Sequence, residues 1–142
     1  MKRFTKISSQ IFVVISGLAF LSVGLMAFWS PQAVMDLVAV QLTNNDALSS
    51  IRGAYGGVGI TLFISLLFLL KKHLSQALLF LCILWSLYAL SRLITIYVNG
   101  SLGDFGIQWL VIESLFSVIA LTLWVLNQSL NTLSQSKISI SQ

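Results

Sequence analysis

Four apolar stretches, each about as long as a bilayer is thick, constrain this chain more than any other feature. They run over residues 11–29, 47–70, 74–98 and 107–126. A membrane-crossing helix needs about 20 mostly apolar residues, and backbone polar groups in lipid must be satisfied within the helix itself. The stretches therefore predict four transmembrane helices. A soluble reading fails on charge. Only 8% of the 142 residues are charged against 57% hydrophobic, with mean hydropathy +0.94. Soluble domains carry about 25% charged residues, so there is no charged shell here to keep such a core in water. The composition excludes an ordinary soluble enzyme, a nucleic-acid-binding module and a disordered tail.

The predicted fold is an all-α membrane protein, an antiparallel four-transmembrane-helix bundle. It forms a single domain over residues 1–126, followed by a polar cytoplasmic tail at 127–142 without fixed structure. The first stretch follows Lys2, Arg3 and Lys6, as a signal peptide would. However, it is longer than the 7–15 residues of a signal h-region and ends in Phe28-Trp29-Ser30-Pro31, a poor cleavage site. It is expected to be a retained span. Ser30-Pro31 then looks like a helix start, with Val34, Leu37, Val38 and Leu42 on one face of a short interfacial helix. Asp46 or Ser49 is the expected cap of the second span. Asn99-Gly100 marks the turn after the third.

Lys2, Arg3, Lys6, Lys71, Lys72 and Lys137 fall on one side of this topology, and Asp36, Asp46 and Asp104 on the other. The positive-inside rule then puts both termini in the cytoplasm. Trp29 and Trp109 mark the outer aromatic belt and Trp124 the inner one.

Three ionisable residues remain inside spans: Arg52, Arg92 and Glu113. At 1.5 Å per residue each lies roughly 7–9 Å below the outer end of its span, so all three are expected at one level. Intramembrane charges are costly and normally face protein. Helical spacing gives each one polar or aromatic neighbours: Tyr55, Gly56 and Gly59 with Arg52, Trp85, Tyr88 and Thr95 with Arg92, and Trp109 and Ser117 with Glu113. Arg92 and Glu113 belong to consecutive antiparallel spans and are expected to form an ion pair. Arg52 is left to Asp46, to Asp104, to lipid phosphate or to a bound anion. The candidate cluster, structural or ligand-binding, is Arg52, Tyr55, Tyr88, Arg92 and Glu113.

Gly53 and Gly57 form a small-xxx-small pair, with Gly56 and Gly59 on the adjoining stripe. Such surfaces let helix backbones approach closely in lipid, and Ser16, Gly17, Ala19 and Gly24 offer a matching surface on the first span. Gly53, Gly56, Gly57 and Gly59 are thus expected at a helix–helix contact. No catalytic constellation is legible: the lone His73 and the carboxylates fall on opposite sides, and Glu113 is the only carboxylate in a span. The single Cys82 excludes an intrachain disulfide. No metal site and no cofactor are expected.

The run Asn44-Asn45-Asp46, with Ile51-Arg52-Gly53-Ala54-Tyr55-Gly56-Gly57-Val58-Gly59 opening a span, resembles a bacterial family of small four-span inner-membrane proteins of unknown function. That family pairs an Arg-x-x-Tyr-Gly-Gly start of the second span with a Gly-Arg in the third, an Asp-Gly-like turn and an acidic residue early in the fourth. Ser91-Arg92, Asn99-Gly100 and Glu113 stand at those places, with Ser91 and Asn99 as departures. The resemblance implies a bacterial inner membrane and an architecture, but no mechanism. The expected function is that of a non-enzymatic accessory or assembly subunit, with the lipid bilayer, a membrane protein or a second copy of the chain as partners. The alternative is a binding or transport protein for a small anionic or lipophilic ligand, or an anionic lipid headgroup, in an outer-leaflet pocket.

Overall fold

The computed structural model describes the backbone of residues 2–140 and the side chains of residues 3–130. Lys2 and Lys137, counted above among the charges of one membrane side, lie outside the described side chains. The chain is all-α, with no strand among the described residues. Its elements are α1 (Lys2–Trp29), α2 (Pro31–Asp36), α3 (Asn45–Ile51), a π-helical turn (Arg52–Gly57), α4 (Val58–Lys72), α5 (Leu74–Asn99) and α6 (Asp104–Ile140). Four stretches, Arg3–Trp29, Asn45–Lys72, Leu74–Asn99 and Asp104–Leu130, are long and apolar enough to cross a membrane. The chain divides into two compact units, Val14–Lys71, and Met1–Val13 with Lys72–Gln142.

In the unit Val14–Lys71, the last turns of α1 lie antiparallel to the π turn and α4. Their contact is built on missing side chains. A Cβ on Gly59 would lie 2.8 Å from the Phe20 carbonyl oxygen and 3.1 Å from Gly24 Cα, and one on Gly56 would lie 2.6 Å from the Phe28 ring. Backbone meets backbone at Gly24 and Gly59, where any side chain would force the helices apart. A Cβ on Gly53 or Gly57 meets nothing within 4 Å. The expectation that all four glycines pack against another helix is therefore corrected: Gly56 and Gly59 face α1, while Gly53 and Gly57 sit on the open side of the helix.

Two expectations for the segment between the spans are also corrected. The short helix stops at Asp36, so Val34 and Met35 are buried against Ala27 and Leu42 packs on them, but Leu37 and Val38 are exposed. The chain leaves the helix through Ala39, whose φ of 56° is left-handed. Gln32 holds the loop that follows. Its Nε2 donates to Asp36 Oδ1 (2.7 Å) and to the Val40 carbonyl (2.9 Å), and its Oε1 accepts from the Leu42 amide (2.9 Å). Asn44, and neither Asp46 nor Ser49, caps α3, its Oδ1 accepting from the Ala47 amide at 2.8 Å. The helix begins two residues ahead of the apolar stretch, which moves the cap forward.

In the second unit α5 and α6 run antiparallel after the turn at Gly100, whose φ of 97° suits a residue without Cβ. Trp85 of α5 packs edge-on to Phe116 of α6 (centroids 5.1 Å apart), and Phe12 of α1 packs on Phe116 from its other neighbour position (5.5 Å). Ser86 and Ser117 share a 2.6 Å hydrogen bond. Near the start of α1, buried Ser9 accepts a hydrogen bond from Asn127 Nδ2 at 2.8 Å. Polar pairs of this kind join helices in lipid, at about 0.6 kcal/mol each. The expected unstructured tail is corrected as well. α6 continues through Asn127 to Ile140, since residues 127–140 contain neither Gly nor Pro to stop it.

Candidate functional site

The site begins with a carboxylate that the sequence places in an apolar helix. Glu113 stands between Ile112 and Ser114 on α6 and is only 2% exposed. A bare carboxylate there would lose its hydration without return. Arg92 of α5 supplies what water would have supplied: its Nε donates to Glu113 Oε2 at 2.7 Å and its Nη2 to Oε1 at 2.9 Å. This is the bidentate fork that guanidinium geometry favours. The two side chains differ in exposure, 22% for Arg92 and 3% for Glu113. The carboxylate is thus the enclosed partner and the arginine covers it from the rim. Antiparallel α5 and α6 bring the two levels together, as Ser86 with Ser117 and Trp85 with Phe116 do further along the same interface.

Around Arg92, Tyr88 is 42% exposed and tilted against Trp85 at 6.2 Å. Ser91 and Thr95 turn their hydroxyls back onto α5, to the Tyr88 and Ser91 carbonyls. Arg92 Nη1 meets no acceptor among the described residues. The pair is closed at the carboxylate, and the donors left over are the two N–H groups of Nη1 and the second of Nη2.

Arg52 belongs to the other unit, in the π turn. Its Nε donates to the Phe28 carbonyl at 3.2 Å, one residue before the end of α1. A cation at the carboxyl end of a helix is held by the helix dipole and by carbonyls without intrahelical partners. Neither Asp46 nor Asp104 forms an ion pair with it, Arg92–Glu113 being the ion pair found among the described residues. The three intramembrane charges thus divide into a salt bridge in one unit and a helix cap in the other. Tyr55, three residues after Arg52, is exposed. A π-helical turn is rare and is found mostly as a single widened turn inside an α-helix. This one coincides with Arg52-Gly53-Ala54-Tyr55-Gly56-Gly57.

Sequence reasoning named Arg52, Tyr55, Tyr88, Arg92 and Glu113. It missed Phe28, whose carbonyl receives Arg52, as well as Gln32, Ser9 and Asn127. A hairpin of two antiparallel spans places the end of the first beside the start of the second, which was the available signal for a cap by Arg52. No group of three His, Cys, Asp or Glu side chains among the described residues is arranged to hold a metal ion.

Four membrane-competent helices and a buried ion pair between two of them define a multi-pass helical membrane protein. The chain belongs to the family described as a domain of unknown function (DUF4345), which matches residues 8–125. No curated protein matches the chain. No solved structure matches it either.

Proposed function

We propose that this chain is a non-enzymatic accessory or assembly subunit of a bacterial inner membrane, with both termini in the cytoplasm, acting through a membrane protein partner or a second copy of itself. The observation that carries the reading is the closed Arg92–Glu113 pair: Glu113, well inside α6, is 2% exposed and engaged at both oxygens. A group so held is a poor proton carrier and a good register clamp. The distribution of Lys and Arg supports the orientation. The almost fully exposed Trp29 (91%) and Tyr97 (90%) offer aromatic contact surface for partners or the membrane interface.

A second reading is favoured by one specific observation. Arg52 Nη1 and Nη2 have no acceptor among the described residues, and Tyr55 beside it is exposed. A small anionic or lipophilic ligand with a carboxylate would find a fork and an aromatic face there. Native mass spectrometry of the full chain, released gently from its own membrane, separates the two readings. A co-migrating polypeptide supports the accessory role. A small added mass that disappears in Arg52→Lys while folding persists moves the assignment to ligand binding.

A further inference from the structure

Only His73 separates α4 from α5. It adopts φ −139° and ψ 52°, and its side chain does not cap the helix that follows. Its carbonyl is taken by the amides of Gln76 and Ala77, so the amides of Leu74 and Ser75 remain as open donors at the positive end of a 26-residue helix. These donors border a groove of about 510 Å³ lined by Lys6 of α1, Lys72, His73, Ser75, Gln76 and Asn127, with Leu74 and Leu130 as apolar walls. The Ser75 hydroxyl is buried and has no hydrogen-bond partner among the described residues.

Among the described residues the groove is lined by cations and by no anion. No carboxylate lines it. Asp36 and Asp46 are not among its lining residues. Glu113 is spent on Arg92 and lies fourteen residues before Asn127 on α6, roughly 21 Å along the helix, with Asp104 farther still. Two lysines, a helix amino terminus and the residue with an unpartnered hydroxyl thus line one groove with no counter-ion among the described residues. Donors arriving from separate elements suit a tetrahedral oxyanion better than a planar one, and helix amino termini bind phosphate for the same reason. The surroundings select the carrier of that phosphate. Lys6 and Lys72 stand at the ends of membrane-competent helices, Leu130 lines the groove, and Phe4, two residues before the lysine of α1, is 76% exposed.

We infer that this groove binds the phosphate headgroup of an anionic membrane lipid, with the phosphate between Lys6, Lys72 and the first turn of α5 and the acyl chains against the neighbouring apolar helix faces. The site is independent of the Arg92–Glu113 pair and of any polypeptide partner.

The test is native mass spectrometry of the full chain ejected from nanodiscs of phosphatidylcholine mixed with phosphatidylglycerol. The wild-type chain retains phosphatidylglycerol in preference to phosphatidylcholine. Lys6→Gln and Lys72→Gln each lower that retention about five-fold, the effect of one lysine near an anionic surface. Lys71→Gln, which removes the same charge one residue away but outside the groove, leaves it within two-fold, as a rough bound on the same scale. All three lysines are exposed, so unchanged melting temperatures accompany these results. Equal retention of the two lipids overturns the inference. So does an equal loss in Lys71→Gln and Lys72→Gln, which marks a diffuse charge effect. Titration of the detergent-solubilised chain with inorganic phosphate distinguishes the source: saturable phosphate binding without phosphatidylglycerol retention makes the ligand a soluble phosphate and overturns the lipid assignment.

Discussion

Arg92 and Glu113, 21 residues apart in sequence, meet in two parallel hydrogen bonds of 2.7 and 2.9 Å, with the carboxylate enclosed and the guanidinium at the rim. The asymmetry sets what each substitution does. Glu113→Gln keeps the shape and leaves Arg92 without a counter-charge. Breaking a buried pair costs about 3–5 kcal/mol, and the partial exposure of Arg92 reduces this to about 2–3 kcal/mol. Thermal unfolding in detergent should show a clear drop in midpoint. The double variant Arg92→Met/Glu113→Leu removes both charges and should recover most of the loss. A Glu113→Gln protein with wild-type stability would refute the clamp.

The glycines of the second span should separate sharply under the same substitution. Gly59→Ala puts a methyl 2.8 Å from the Phe20 carbonyl, a contact with backbone that no side-chain rotation relieves, and should cost about 1–3 kcal/mol. Gly57→Ala adds a methyl to open space and should be neutral or stabilising by up to about 1 kcal/mol. Unfolding midpoints of the two variants compare them directly. Equal effects would mean that the close approach of α1 and α4 is not maintained.

Gln32 makes three hydrogen bonds that pin the chain from Asp36 to Leu42. Gln32→Ala frees the Leu42 amide, and its hydrogen exchange should accelerate roughly five- to ten-fold, the consequence of about 1 kcal/mol of lost protection. Exchange within α5 should stay as it is. If the Leu42 amide keeps its protection, the loop is held by the packing of Val34 and Met35 instead.

Asn127 ties the beginning of α1 to α6 through Ser9. Asn127→Ala should lower stability by about 0.6 kcal/mol, the mean for such a bond in a membrane. Ser9→Ala should add nothing further in the double variant, because both changes delete one interaction. A fully additive double-mutant cycle would show that the two residues act separately.

Sequence periodicity and elementary energetics read the helices well. Length and apolarity fix spans in lipid because an unsatisfied backbone is intolerable there, and Asn99-Gly100 ends α5 because the backbone at Gly100 turns left-handed. Local sequence is ambiguous where neighbouring residues offer competing choices. Asn44, Asp46 and Ser49 all suit a helix start, and the geometry of the turn selected Asn44. The change in polarity after Leu126 suggests a helix stop there, but polarity alone does not end a helix without a breaker, and α6 runs to Ile140.

By itself the sequence determined an all-α membrane chain and an intramembrane pair between Arg92 and Glu113, since two opposite charges at matching depth on consecutive spans have few other means of leaving lipid. Tertiary structure alone decided the rest. Spacing put Arg52 with the other charges, and the fold gives it the carbonyl at the end of α1. Four glycines were equivalent on paper, and only Gly56 and Gly59 lie where α1 approaches. The physical reason is the same in both cases. A helical pattern specifies which residues share a face, but what that face meets depends on how the neighbouring helix is rotated, and a π turn of six residues between α3 and α4 resets that rotation.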